Sequence, residues 1–234
     1  MHSERYGLLT AIISIPAIIS PTQRRIGTCR GRKREPSIVL DFDGNDLKQR
    51  LSSLPAPKLL AFMLLLCERM TPQLREFAEY TGFDIGVYRE CVELGWSSLL
   101  RTRDRRGYED LAKICIDKAP DTEDFQHDLT SSALDAALSV ADLMSFLFDG
   151  KVDHIVEAAS WARDTAFMSV ESTISIDDPA LALQEINGHP LVQRELKQQE
   201  QDVSFIESLP EEIGEEAFSA LRARAEGTPA ILAK

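Results

Sequence analysis

Leu59-Leu-Ala-Phe-Met-Leu-Leu-Leu-Cys-Glu-Arg-Met70 decides the fold. From Leu59 to Cys67 nothing is polar, and no β-branched residue interrupts the run. Leu, Met and Ala lose little side-chain freedom on a helix, so the stretch is a good helix former. Pro57 stands where a first helical turn tolerates it, because the N–H it lacks would have had no intrahelical partner. The run is too short for lipid, since a bilayer takes about 20 apolar residues. A helix apolar on every side must then be wrapped by other elements of the same domain. Polarity returns at Glu68 and Arg69. They either reach solvent or pair with charges on a neighbour; the sharper alternative is a polar site at the edge of the core.

The rest of the composition agrees with helices. At 234 residues and 44% hydrophobic, the chain can bury a sizeable core. Aromatics are few, at 7%, and β-branched runs are rare, which suits helix packing better than sheets. The net charge of −12 is uneven. Residues 1–36 hold seven Lys/Arg against two Asp/Glu, a surplus of +5, so the remainder carries −17. Such an acidic body repels phosphates, so nucleic-acid binding by it is not expected. Basic protein partners are electrostatically admissible. Cys29, Cys67, Cys91 and Cys115 show neither a C-x-x-C pair nor zinc spacing. The last three fall in apolar helical patterns, which suits buried free thiols in a reducing cytoplasm.

Residues 1–40 read as a disordered extension, or as an upstream start, ahead of an all-α domain over 41–234. Leu8–Ile19 is apolar but interrupted by Pro16, and Arg24-Arg25 and Arg30-Gly-Arg-Lys-Arg34 follow it. The pattern imitates part of a secretory signal, yet its basic residues lie mainly on the wrong side and no A-x-A site is evident. Membrane contact or nucleic-acid binding by this tract is the alternative; for the domain itself no membrane association is expected.

Helical signals then follow one another. Asp43 or Asn45 caps a short helix through Leu54. Thr71-Pro72 reads as an N-cap and first-turn proline, ending the central helix near Met70 and opening another to Thr81. Asp84 caps a helix to about Arg101, and Tyr108–Lys118 forms the next. Ser131 or Ser132 caps a long helix to Asp149, with Gly150 as its C-cap. A second long helix runs from Val152 to about Ser172. Small residues on both allow close approach, as in an αα-hairpin. Asp177-Asp178-Pro179 starts a short helix. Pro190 opens a polar one to about Leu209, whose narrow stripe is Val192, Leu196, Val203 and Ile206. It is the least core-like helix, suited to packing by one edge or to binding a partner. A final helix covers Glu211–Ala225. The expectation is a single all-α, bundle-like domain of about eight or nine helices, with no sheet.

Catalytic signatures are missing from the sequence. It has no P-loop, no dinucleotide-type glycine fingerprint and no G-x-S-x-G. His154 and Glu157 share a helix face, but their order is reversed relative to di-iron bundles and the pair occurs once. No metal, cofactor or catalytic residue is therefore expected. Asp135 and Asp142 sit on an apolar helix, where a carboxylate is costly to bury unless paired. Arg69 or Arg163 is the expected partner of Asp135 in a structural ion pair. The functional alternative is a polar pocket around Glu68, Arg69, Asp135 and Asp142. Trp96 and Trp161 read as core or interface anchors.

Several stretches together resemble the bacterial YjaG-like proteins, a family of unknown function. They are Phe62-Met63, Leu66-Cys-Glu-Arg-Met70 with Pro72, Phe77 and Thr81-Gly-Phe83. Tyr88-Arg89 follows, with Leu94 and Trp96, then Pro120 and Glu123-Asp-Phe125. Ala133-Leu-Asp-Ala136, Asp142, Pro190-Leu-Val-Gln-Arg-Glu195 and Gln198-Gln199 complete the set. The likeness spans about residues 45–232 and rests on order and spacing. The sequence departs at Gln73-Leu74, where the family has Asn-Tyr, at Ser131-Ser132, where it has Tyr-Pro, and at Gln126, where it has an aspartate. The resemblance implies an all-α cytoplasmic bacterial protein and brings no reaction to transfer. The expected function is a non-enzymatic interaction or regulatory module, with a protein partner or a second copy of itself. The alternative is an enzyme or small-ligand binder using the interior polar site.

Overall fold

The computed structural model describes residues 39–101 and 105–232. The expected extension over 1–40 lies almost wholly outside them, as does Cys29. Nine α-helices and no strand occur among the described residues.

The Asp43 carboxylate caps α1 (Gly44–Leu51), accepting from the N–H groups of Asn45 at 2.9 Å and Asp46 at 3.2 Å. Next, α2 (Ala56–Thr81) starts with Pro57 in its first turn. It runs through the apolar stretch, and Phe62, Met63, Leu64 and Leu66 are wholly buried. One expectation fails here: Thr71-Pro72 does not begin a new helix, and α2 continues to Thr81 with Pro72 inside it. Burial on both sides of the proline overrides the local signal, because Met70, Gln73, Leu74 and Phe77 are all buried.

Behind Gly82 come α3 (Gly86–Leu100) and α4 (Tyr108–Asp117). The Asp84 carboxylate accepts from Gly86 N–H at 2.9 Å. Gly95 lets α3 lie close to the core: a Cβ there would stand 2.9 Å from Leu64 Cδ2 and 3.1 Å from Leu143 Cδ2.

Alanines join the two long helices α5 (Thr130–Asp149) and α6 (Val152–Glu171). Ala133, Ala136, Ala137 and Ala141 on one, and Ala158, Ala159, Ala162 and Ala166 on the other, are buried. Gly150 turns the chain between them at φ 74°, a left-handed conformation that costs glycine nothing. The expected cap at Ser131 or Ser132 is absent. Leu129 holds the cap position, and the Ser132 hydroxyl donates back to Leu129 C=O at 3.0 Å. By length and composition alone α5 could cross a bilayer; here α2, α3, α4 and α6 pack around it.

Three helices close the fold: α7 (Pro179–Gly188), α8 (Pro190–Ser208) and α9 (Glu215–Gly227). Packing on α2 and α6, α8 buries Val192, Leu196, Val203 and Ile206 as expected. It also buries three polar residues, Glu195, Gln199 and Asp202. Its packing edge is therefore broader than the apolar stripe.

Candidate functional site

The residues expected to share one interior site occupy three separate places. Successive residues on an α-helix point about 100° apart, so Glu68 and Arg69 leave α2 in different directions.

Arg69 turns toward α8. Its Nη2 donates to Glu195 Oε1 at 3.0 Å, and its Nη1 donates to the Asp202 carboxylate and to Leu65 C=O, the latter at 3.3 Å. Asp202 also accepts from Arg224 Nε at 2.7 Å and Gln198 Nε2 at 3.0 Å. Glu195 accepts from Gln199 Nε2 at 3.0 Å, and the same amide donates to Ala159 C=O on α6 at 3.0 Å. The pair is closed to solvent: Arg69 is 2% exposed and Asp202 0%. Burial pulls the guanidinium pKa down; the two carboxylates overcome that and hold it above its ordinary value. Such an arrangement survives burial because hydrogen bonds satisfy its charges. Its donors and acceptors are spent on one another, with Arg69 Nε alone unpartnered in the group.

Asp135 meets neither Arg69 nor Arg163. It accepts from Thr165 Oγ1 at 2.9 Å. Arg163 instead pairs with Asp164 at 2.9 Å and lies over the Phe42 ring at 5.3 Å. The expected ion pair is thus replaced by a carboxyl–hydroxyl contact. Burial lifts the Asp135 pKa to about 7, against the opposing Thr165 hydrogen bond and with help from the Asp164 charge. Two turns along α5, Asp142 accepts from Trp161 Nε1 at 3.1 Å and faces His154 Nδ1 at 3.5 Å. Burial raises the Asp142 carboxyl as well, and the contact with Asp142 raises the imidazole. His154 Nε2 lies 3.2 Å from Asp149 Oδ1, close enough for charge attraction but misaligned for a hydrogen bond. His154 is thus engaged between two aspartates, while Glu157 is exposed.

Glu68 faces α3 and α9. Trp96 Nε1 donates to Glu68 Oε1 at 2.7 Å, and Arg222 Nη1 stands 3.5 Å from the same oxygen. The Arg222 guanidinium lies 4.4 Å from the Trp96 ring centre and donates to Glu93 Oε2 at 2.8 Å. Glu68 and Glu93 form one end of a groove of about 460 Å³ between α2 and α3. Arg75, Arg89, Glu90 and Thr71 also line it. Neither the Arg75 nor the Arg89 side chain has a hydrogen bond or ion pair among the described residues.

The sequence assigns no site role to Glu195, Asp202, Arg75, Arg89 or Arg222, although Glu195 and Arg89 lie in stretches that carry the family likeness. For the first two a signal existed. Residues 192, 195, 196, 199, 202, 203 and 206 form one continuous helical stripe, and an apolar reading skips its polar members. For the arginines there was none, since exposed cations on polar faces are ordinary.

The geometry defines an all-helical domain with a buried ionic staple and an open polar groove. Its sequence matches, over residues 46–229, the family described as "Protein of unknown function (DUF416)", and the chain belongs to that family. It is 27% identical to the uncharacterized protein YjaG of Escherichia coli K12 over 153 residues, covering 64% of this chain and 76% of that one. An uncharacterized protein of Haemophilus influenzae is 25% identical over 186 residues, covering 75% and 95%. The crystal structure of a DUF416 family protein from Shewanella baltica OS155 superposes with a TM-score of 0.69 at 25% identity, covering 78% and 95%.

Proposed function

We propose that this chain is a non-enzymatic interaction module whose contact surface is the α2–α3 groove. What it holds there is a carboxylate-bearing, peptide-like segment of a protein partner. One observation carries the reading: in a chain of net charge −12, Arg75 and Arg89 line the same groove, and neither makes an ion pair among the described residues. An Arg fork is suited to carboxylates, and two forks can grip one extended segment. The groove volume lies in the range of ligand pockets, roughly 300–1,000 Å³. From Glu68 to Arg75 the α2 wall is about 10 Å long, enough for about three extended residues. The opposite end is acidic, which sets a direction for a segment carrying charge at one end.

The interior alternative has less in its favour. Arg69 is closed off, and Asp135 and Asp142 are engaged on another pair of helices, so of the four expected residues Glu68 alone lines the groove.

The test is calorimetric titration of the full chain with a terminally blocked Glu-Leu-Glu peptide, succinate and inorganic phosphate. The expected result is binding of the peptide that weakens with salt, exceeds that of succinate and phosphate, and drops at least tenfold in the Arg75→Ala/Arg89→Ala variant. No peptide binding, or binding indifferent to the double substitution, overturns the reading.

A further inference from the structure

Two thiols that the groove does not use meet between α3 and α4. Cys91 Sγ and Cys115 Sγ lie 3.7 Å apart, and both residues are buried. The helices are tied at the same point, because the Tyr88 hydroxyl donates to Cys115 C=O at 3.0 Å. A third buried thiol, Cys67, stands elsewhere, against Ser139 C=O at 3.5 Å. The three cysteines therefore differ: two meet each other, and the Cys67 thiol bonds to a backbone carbonyl.

We propose that Cys91 and Cys115 form an oxidative modification site, converted by hydrogen peroxide into an intramolecular disulfide that staples α3 to α4. A disulfide S–S bond is about 2.05 Å, so the sulfurs must close by roughly 1.7 Å from their present contact. The chemistry balances in two steps. The Cys91 thiolate attacks one peroxide oxygen; an S–O bond forms, the O–O bond breaks, and hydroxide leaves to become water. Cys115 then attacks the Cys91 sulfur; the S–S bond forms, the S–O bond breaks, and a second water carries away the thiol proton. Two thiols are oxidised and one peroxide is reduced to two waters.

The order of attack follows from the local chemistry. The sulfur–sulfur contact with Cys115 holds the Cys91 thiol below its ordinary range, and the same contact, with burial, pushes Cys115 up. The thiolate is the nucleophile, so Cys91 reacts first and Cys115 resolves. Burial pushes Cys67 up with no thiol in contact, so it stays reduced. Peroxide is small enough to enter through local opening of the ten-residue α4. This inference stands apart from the groove: loss of either leaves the other intact.

The experiment treats the folded full chain with hydrogen peroxide, alkylates under denaturing conditions and maps tryptic peptides. The expected product joins peptides 90–101 and 114–118, disappears with dithiothreitol and leaves Cys67 alkylated. Cys115→Ala should instead leave a Cys91 sulfenic acid trapped by dimedone, with Cys91→Ala giving no dimedone adduct at Cys115. Circular dichroism establishes that both variants remain helical. A bond through Cys29 or Cys67, a bond between chains, or both thiols of the pair alkylated after treatment overturns the proposal.

Discussion

Arg69 on α2 and Glu195 on α8 meet at 3.0 Å in the interior although 126 residues separate them in the chain. Asp202 joins them from the next turns of α8, and Arg224 reaches Asp202 from α9 at 2.7 Å. Three helices are therefore held by one chain of charges. Arg69 belongs to Leu66-Cys-Glu-Arg-Met70, and Glu195 to Pro190-Leu-Val-Gln-Arg-Glu195. Two of the stretches through which the family likeness was read are thus the two halves of one internal contact. Their first role is to position helices.

Removing the cation alone should be severe, because it strands the buried Glu195 carboxylate and leaves Asp202 with Arg224 alone. Arg69→Met is expected to lower the unfolding free energy by about 3–5 kcal/mol. Adding Glu195→Gln and Asp202→Asn should restore more than half of the loss, since no buried charge is then left unpaired and the released Arg224 is partly exposed. Urea melts of the single and triple variants check this. A single variant as stable as the parent would show that the staple contributes nothing.

Asp135 makes stability depend on pH in a definite direction. Its pKa is about 7 in the fold and about 3.9 when unfolded. Between those values the native state binds more protons than the unfolded state, so stability falls as pH rises from about 4 to about 7. Asp135→Asn keeps an oxygen for Thr165 and removes the titration. It should stabilise by on the order of 2 kcal/mol at pH 8, allowing for partial solvent contact, and by little at pH 4. Denaturation at the two pH values measures the difference. An equal effect at both would mean that the carboxyl titrates normally.

How far the sequence foretells this fold can be argued residue by residue. The run Leu59–Cys67 is legible because it has a single physical solution, burial in a helix surrounded by others. The alanines of α5 and α6 are legible because small residues on facing helices permit close approach. Pro72 is not, because Thr-Pro gives the same local signal at a helix start as inside a helix held by its surroundings. The partner of Arg69 is hidden for another reason. Arg69 and Arg163 are equivalent as cations, Glu195 and Asp135 as anions, and their pairing depends on which helix faces which. Arg75 carries no sequence mark, and Arg89 is marked only by its place in Tyr88-Arg89.

Gln193 should be what holds residues 39–42 to the domain. Its Oε1 accepts from Leu40 N–H at 2.8 Å, and its Nε2 donates to Leu40 C=O at 2.8 Å and Asn187 C=O at 2.7 Å. Gln193→Ala removes all three bonds at once. Each is worth about 0.5–1.5 kcal/mol and two of them hold the segment, so its local opening should become at least about fivefold more frequent. Amide hydrogen exchange at Leu40 reads it directly. Unchanged protection at that amide would show that Phe42 packing alone fixes the segment.

Pro72 offers a test in which the two descriptions of α2 differ in sign. As the first residue of a separate helix, the proline would be well placed, and Pro72→Ala would be neutral or slightly destabilising. In the continuous helix Ala56–Thr81 it lacks the N–H that would reach Glu68 C=O, and its ring crowds that carbonyl. The neighbourhood is tied down by other means: Ile231 N–H donates to Arg69 C=O at 3.4 Å, and the Thr71 hydroxyl donates to Cys67 C=O at 2.8 Å. Alanine in a helix interior is favoured over proline by about 3 kcal/mol. The freer unfolded chain gives back roughly 1 kcal/mol. Pro72→Ala should therefore stabilise by about 2 kcal/mol, seen as a higher urea midpoint with an unchanged slope. A lower midpoint would mean that the chain breaks at Thr71, and that the long central helix is two.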